Sequence, residues 1–199
     1  MTKKNHDKND KYWKFAGSPW KSQAMWWSWI RSSLRRGSNR HPAKIAKLNA
    51  ERIKIPNPNP SSAKRFPEVW GAVCGCCGNT YPLSGGKKEG KQKTTIQVDH
   101  KIESGSLKDQ TDLQRFVERM YCVSPDDLEL LCSVCNKTKD LAVKLGVSFK
   151  EAECERDAIA IVKDKLDKSW LLERNILPAS AQANRRKQIV EQLKKERNL

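Results

Sequence analysis

Four of the seven cysteines form two pairs with the spacing of metal ligands. Cys74 and Cys77 make one pair, Cys132 and Cys135 make the other, and two residues separate the members of each pair. Such a gap lets both thiolates of a turn face one ion, so two pairs can complete a tetrahedral zinc site. Because four thiolates leave no ligand position for a substrate, this zinc is predicted to be structural. Unrelated buried thiols or a redox pair are the alternatives, and Cys76 could replace a ligand of the first pair only at poorer spacing.

Three residues near these pairs have types that suit hydrolysis of a phosphodiester bond. The imidazole of His100 can activate water because the pKa of histidine lies near neutrality. Asp99 and Asn136 offer hard oxygen donors, which favour Mg²⁺ or Mn²⁺ over zinc. Neighbouring residues of a strand face opposite sides, so Asp99 and His100 can converge only at a strand end or a bulge. We therefore predict a catalytic cation on Asp99 and Asn136, with His100 as the general base.

Apolar spacing and turn residues indicate the elements that position these side chains. Two strands are predicted at 80–83 and 94–102, joined as a hairpin across a glycine-rich loop. An amphipathic helix is predicted at 113–121. The apolar run 128–132 leads into the second cysteine turn, and a helix follows over 135–145 and ends at a glycine. The middle of the chain is thus predicted to be α+β.

Helices are also predicted on both sides of this middle region. On the N-terminal side they span 20–36 and 42–53, and the proline-rich stretch 56–62 is predicted to be a linker. On the C-terminal side a capping box begins a helix over about 148–166, and a last helix spans 179–197. The sequence contains no run of 18 apolar residues, so no membrane span is expected. No apolar stretch follows the basic residues at the start of the chain, so no secretory signal is expected.

The positive charge is concentrated in the first third of the chain. The sequence carries 39 Lys and Arg against 23 Asp and Glu, a formal charge of +16, and residues 1–70 alone hold 16 basic and 4 acidic residues. This asymmetry indicates a polyanionic partner, most simply DNA. The tryptophans of residues 20–29 are predicted to dock the N-terminal helices, with base stacking as the alternative. The residues predicted to contact phosphates are Arg31, Arg35, Arg36, Arg40, Lys44 and Lys47, together with Lys137 and Lys139 beside Asn136.

Two motifs of the middle region carry a family resemblance. They are Asp99-His100 and the run Asp127-Leu-Glu-Leu-Leu-Cys132-Ser-Val-Cys135-Asn136-Lys-x-Lys139. Together they are similar to the HNH endonucleases of the ββα-metal group, and most similar to the members with a four-cysteine zinc site, which are common in bacteriophages. The resemblance covers residues 70–145, and a looser likeness extends to 29–36.

The resemblance implies a ββα-metal core in which a hairpin and the helix after Asn136 hold one cation, while zinc pins the hairpin to the helix. It implies His100 as general base and Asp99 and Asn136 as ligands of Mg²⁺ or Mn²⁺. The middle position of the motif, usually Asn, is Asp127 here. We expect its carboxylate to accept a hydrogen bond from the imidazole of His100, which would orient the ring and raise its pKa.

Four regions are therefore predicted: a flexible basic tail (1–19), a basic, tryptophan-rich helical arm with a linker (20–62), an HNH nuclease core with the zinc site (63–147) and a C-terminal helical appendage (148–199). The predicted activity is metal-dependent DNA endonuclease, nicking or cutting both strands, in the cytoplasm, or in the host cytoplasm for a phage protein. Other phage proteins or a second copy of the chain are the further partners expected. The alternatives are a catalytically silent, zinc-containing DNA-binding module of a larger phage or replication assembly, and an RNA-directed nuclease.

Overall fold

The computed structural model describes residues 13–84, 87–88, 91–92 and 94–199, and it combines helices with small antiparallel sheets. The predicted tail therefore lies outside the described residues up to position 12. The helices are α1 (Gln23–Ser38), α2 (Pro42–Glu51), α3 (Pro60–Ala63), α4 (Leu113–Tyr121), α5 (Ser133–Leu145), α6 (Phe149–Lys163), α7 (Asp167–Leu172) and α8 (Gln182–Glu196). The strands are β1 (Ile53–Pro56), β2 (Glu68–Val73), β3 (Thr80–Pro82), β4 (Lys87–Lys88), β5 (Lys91–Gln92), β6 (Ile96–His100) and β7 (Leu128–Cys132). The predicted α+β class is confirmed.

The strands of the described residues form three antiparallel sheets. β1, β2 and β3 pair in that order, β4 pairs with β5, and β6 pairs with β7. The predicted hairpin between 80–83 and 94–102 is wrong, because β3 pairs with β2 while β6 pairs with β7. The buried surface of the strands explains why β6 pairs with β7. Four of the five residues of β7 are buried, whereas β3 has three residues and buries one of them.

The β6–β7 pair and α5 form one packed unit. His100 lies opposite Leu128 and Ile96 opposite Cys132 in the strand pair, and α5 packs against both strands. α5 begins directly after β7 and ends at Gly146, whose left-handed φ of 66° stops the helix as predicted. With the four-cysteine cluster described below, this arrangement is compatible with a zinc-binding ββα fold.

The proline-rich segment predicted to be a linker contains secondary structure. β1 ends at Pro56, and α3 begins at Pro60. β1 lies at the edge of its sheet, where the missing N–H of a proline removes no ladder hydrogen bond. The Asn57 amide closes the connection by donating to Ser62 Oγ at 3.1 Å and to the Phe66 carbonyl at 2.7 Å.

Three apolar clusters hold the described elements together. One joins β2, β6 and β7 around the cysteines, and a second packs Trp27 of α1 against Phe116 and Met120 of α4. The third joins α6, α7 and α8 around Leu171 and Ile189. Because α2 contacts β6 and β7 and α6 contacts α5, both helical flanks pack directly on the middle region. None of the described helices is long and apolar enough to cross a membrane.

Candidate active site and metal centre

The two cysteine pairs converge on a single point. The sulfur atoms of Cys74, Cys77, Cys132 and Cys135 all lie within 4.8 Å of one another, so they could bind a metal such as zinc. Cys74 follows β2, Cys132 ends β7, and Cys135 lies in the first turn of α5. Cys76 is exposed and does not belong to this group of four. The spacing argument is therefore confirmed at the level of geometry.

Backbone N–H groups point at these sulfurs. Cys132 N–H donates to Cys74 Sγ at 3.2 Å, and Cys135 N–H donates to Cys132 Sγ at 3.3 Å. Burial opposes ionisation of Cys74, but hydrogen bonds from the backbone of Cys77, Cys132 and Cys76 outweigh it and lower the pKa of the thiol to about 7. Such donors stabilise thiolates, which are the form of cysteine that ligates metals.

A cavity of about 560 Å³ lies at the carboxyl end of β6. Asp99 and His100 from β6 line it together with Asn136 from α5, so the three predicted catalytic residues share one space. His100 is the last residue of β6, and at a strand end two neighbouring residues can line the same cavity. Arg35 of α1 and Lys44 of α2 also line the cavity.

His100 is buried, with 6% of its surface exposed. Its Nε2 lies 3.3 Å from the Met120 carbonyl oxygen. Burial lowers the pKa of His100, and the charge of Lys44 lowers it further, while the Met120 carbonyl and Asp99 oppose the shift. A neutral imidazole, which can accept a proton, is therefore favoured near pH 7.

Asp99 is held by a lysine. Lys139 Nζ donates to Asp99 Oδ2 at 2.8 Å, to Glu129 Oε1 at 2.8 Å and to the His100 carbonyl at 2.6 Å. Three protein acceptors match the three hydrogens of an ammonium group. Lys139 therefore joins α5 to both strands, whereas the sequence predicted a phosphate contact for it.

Asn136 presents an unsatisfied oxygen. Its Nδ2 donates to Gln97 Oε1 at 2.8 Å, and its Oδ1 is buried and has no hydrogen-bond partner within the described part of the chain. A buried acceptor without a hydrogen-bond partner lowers the stability of the folded state by about 1–3 kcal/mol, so a ligand or an ordered water is expected at this atom. Because amide and carboxylate oxygens are donors that Mg²⁺ and Mn²⁺ prefer, Asn136 and Asp99 fit the predicted cation in chemistry.

Asp127 has a different role from the one predicted. Its Oδ2 accepts hydrogen bonds from Ser124 N–H at 2.8 Å and from Ser124 Oγ at 2.7 Å, which close a 3₁₀ turn before β7. These two bonds lower the pKa of Asp127. The expected hydrogen bond to His100 and the expected rise in its pKa are wrong, because Asp127 is exposed and the pKa of His100 is lowered.

Two carboxylates that the sequence analysis did not select also line the cavity. They are Glu103, three residues after His100, and Asp140, four residues after Asn136 on the same face of α5. Burial raises the pKa of both groups, and in each case other carboxylates of the cavity add to the rise. Helical i, i+4 spacing from Asn136 is the signal that could have identified Asp140.

The predicted phosphate contacts divide between the cavity and the outer surface. Arg35 and Lys44 line the cavity, while Lys47 pairs with Glu51 at 2.6 Å. The remaining side chains lie outside it: Arg36, Arg40 and Lys137 are exposed, and Arg31 is half-buried. The predicted phosphate-contacting residues therefore lie partly in the cavity wall and partly on the open surface.

Comparisons of the chain with protein-family models, with curated proteins and with solved structures find no match.

Proposed function

We propose that this protein is a metal-dependent DNA endonuclease of the HNH type. One observation carries the proposal: Asp99, His100 and Asn136 line one cavity beside a cluster of four thiols. These residues combine a neutral, buried imidazole with two oxygen donors, one of which has no partner among the described residues. A base and a cation site in one cavity are the requirements of phosphodiester hydrolysis.

His100 acts as the base in the proposed reaction. A water oxygen attacks phosphorus while His100 accepts the proton of that water, and the bond from phosphorus to the leaving sugar oxygen breaks. The leaving oxygen takes a proton from solvent, so one strand end keeps the phosphate and the other carries a hydroxyl. Asp99 and Asn136 would hold a Mg²⁺ or Mn²⁺ ion, which when bound stabilises the negative charge of the reacting phosphate.

Zinc on the four thiols would be structural in this proposal. The four sulfurs come from the turn after β2, the end of β7 and the start of α5. One ion at this point would tie the β2 turn to the strand and helix that carry the site, and it would couple metal binding to folding. The exposed arginines of the N-terminal arm would bind the phosphates of DNA. One centre cuts one strand, so cutting both strands requires a dimer or two successive nicks.

A plasmid assay tests the proposed activity. Supercoiled plasmid is incubated with the protein and Mg²⁺ or Mn²⁺, beside the His100→Ala variant and an Asp127→Asn control. We expect nicking by the wild type, loss of nicking with His100→Ala, and nicking within about threefold of the wild type with Asp127→Asn, since Asp127 only caps a turn. Equal zinc content and equal melting temperature of the three proteins exclude misfolding as the cause. Nicking that survives His100→Ala contradicts the proposed role of the base.

One observation favours the second candidate, a catalytically silent zinc-containing DNA-binding module. Asp99 Oδ2 is already bonded to the Lys139 ammonium, so one oxygen of the proposed cation ligand carries a protein cation. This candidate predicts that the protein binds duplex DNA but leaves plasmid intact in Mg²⁺, Mn²⁺, Co²⁺ and Ni²⁺. Nicking in any of these metals that requires His100 rejects it.

A further inference from the structure

The N-terminal arm forms part of the wall of the catalytic cavity. α2 packs against β6 and β7, and its residues Lys44, Ile45 and Leu48 line the cavity beside Asp99 and His100. The charge of Lys44 affects His100, and the charge of Asp99 affects Lys44, so the three groups lie within electrostatic reach of one another. A segment that the sequence analysis separated from the nuclease core therefore contributes to its interior.

Among the described residues, Lys44 has no carboxylate partner at salt-bridge distance. It is half-buried and takes part in none of the salt bridges found among the described residues, whereas Lys47, one turn further along α2, pairs with Glu51 at 2.6 Å. Burial lowers the pKa of Lys44, and the charge of Asp99 only partly opposes this. A partly desolvated cation without a partner is unfavourable until an anion arrives.

The other cations of the cavity are less suited to a phosphate at its floor. Lys139 already donates to Asp99, Glu129 and the His100 carbonyl. Arg35 is exposed, and its charge acts on Glu103 and Asp140. Lys44 is thus the cavity cation that is half-buried, close to His100 and without an ion pair within the described residues.

From this geometry we infer that the Lys44 ammonium binds a non-bridging oxygen of the scissile phosphate. The inference rests on the proposed endonuclease function and adds a catalytic residue from the N-terminal arm. Lys44 keeps its proton throughout: it contributes charge to the phosphate oxygens as the water oxygen attacks, and the proton of the water still goes to His100. A positive charge that is held in place and partly withdrawn from water stabilises such a developing anion more than a fully exposed charge does.

The kinetic test separates chemistry from binding. Lys44→Met keeps the aliphatic stem and removes the charge, Lys44→Arg keeps the charge, and Lys64→Ala removes an exposed lysine outside the cavity. Single-turnover nicking is measured at saturating protein, and duplex affinity is measured separately by fluorescence anisotropy. We expect Lys44→Met to slow nicking about 100-fold or more with a Kd within about threefold of the wild type. Lys44→Arg should recover most of the rate, and Lys64→Ala should match the wild type.

A second readout does not depend on catalysis. Thymidine 3′,5′-bisphosphate serves as a probe for phosphate binding and is titrated by calorimetry into the wild type, Lys44→Met and Lys64→Ala. We expect Lys44→Met to weaken its binding at least tenfold and Lys64→Ala to leave it unchanged. If the bisphosphate binds in a Lys44-dependent way but the wild type does not nick plasmid, the endonuclease function is rejected and the phosphate-binding role of Lys44 is retained. Full-rate nicking by Lys44→Met, or a loss confined to duplex affinity, would overturn the role of Lys44 and keep the function.

Discussion

Asp99 and Glu129 lie directly opposite each other in the β6–β7 pair, and one ammonium group joins them. Like charges at opposed positions of a strand pair repel. Lys139 of α5 removes this repulsion by bonding both carboxylates at 2.8 Å, and it also bonds the His100 carbonyl. The helix and the two strands are therefore locked together at the residue proposed to hold the catalytic cation.

Lys139→Met should destabilise the fold. It leaves two half-exposed carboxylates opposed without a counter-charge, and we expect a loss of about 1–2 kcal/mol in the free energy of unfolding, measured by urea denaturation. The neighbouring exposed residue gives the control, Lys137→Met, which should change stability by less than about 0.5 kcal/mol. Adding Glu129→Gln to Lys139→Met should restore part of the loss. Equal stability of Lys139→Met and the wild type would contradict the bridging role.

Two adjacent cysteines should respond differently to substitution. Cys77 belongs to the four-thiol cluster and Cys76 does not. We expect Cys77→Ser to lose bound zinc and cooperative unfolding, because three thiolates hold a structural ion less tightly. Cys76→Ser should keep about one zinc ion per chain. The zinc content of both variants is measured by mass spectrometry. Loss of zinc in Cys76→Ser would show that the proposed set of four ligands is wrong.

Three arginines of the N-terminal arm that lie outside the cavity should determine how DNA affinity depends on salt. Replacing Arg31, Arg36 and Arg40 with Ala should weaken binding and reduce the slope of log affinity against log salt by about 0.9 for each phosphate that is no longer neutralised. The control replaces three exposed lysines of the C-terminal region, Lys163, Lys165 and Lys168, with Ala. An unchanged slope in the arginine variant would remove these residues from the interface.

Two tryptophans of α1 should differ in their effect on stability. Trp27 is 4% exposed and packs with Phe116 and Met120, whereas Trp29 is 47% exposed. Trp27→Ala should cost about 3–5 kcal/mol in the free energy of unfolding, because it opens a cavity between α1 and α4. Trp29→Ala should cost less than about 1 kcal/mol by the same denaturation measurement. Similar losses in both variants would contradict docking through Trp27.

The stability of the C-terminal helices should fall in acid. Glu151 accepts hydrogen bonds from Lys194 Nζ at 3.0 Å and from the N–H and Oγ of Ser148, and these interactions lower its pKa from 4.5 to about 2. Since the folded pKa lies below the unfolded one, the contribution is complete above about pH 4.5 and is lost as the pH falls towards 2. Glu151→Gln should flatten the decline of the melting temperature between pH 5 and 3. A decline as steep as that of the wild type would assign the acid sensitivity elsewhere.

Local signals in the sequence predicted the elements better than their pairing. The capping box at Ser148 begins α6, the Gly146 stop ends α5, and the cysteine spacing locates the four thiols. The partner of β6 was predicted wrongly, because strand pairing depends on which apolar faces meet, and the run that forms β7 lies about 30 residues further along the chain. Asp127 was misjudged for a different reason, because its hydrogen bonds are local and go to Ser124, three residues earlier in the chain.

By itself the sequence determined which chemistry is available: four thiols at ligand spacing, an Asp-His pair, an asparagine after the last cysteine, and a basic first third. Residue type and short-range spacing are enough for these conclusions. Only the tertiary structure decided which groups meet. It bonds Lys139 to Asp99, leaves Asn136 Oδ1 buried without a partner among the described residues, and brings Lys44 into the cavity. These arrangements bring together residues that lie far apart in the chain, and their formation depends on the packing of whole helices and strands.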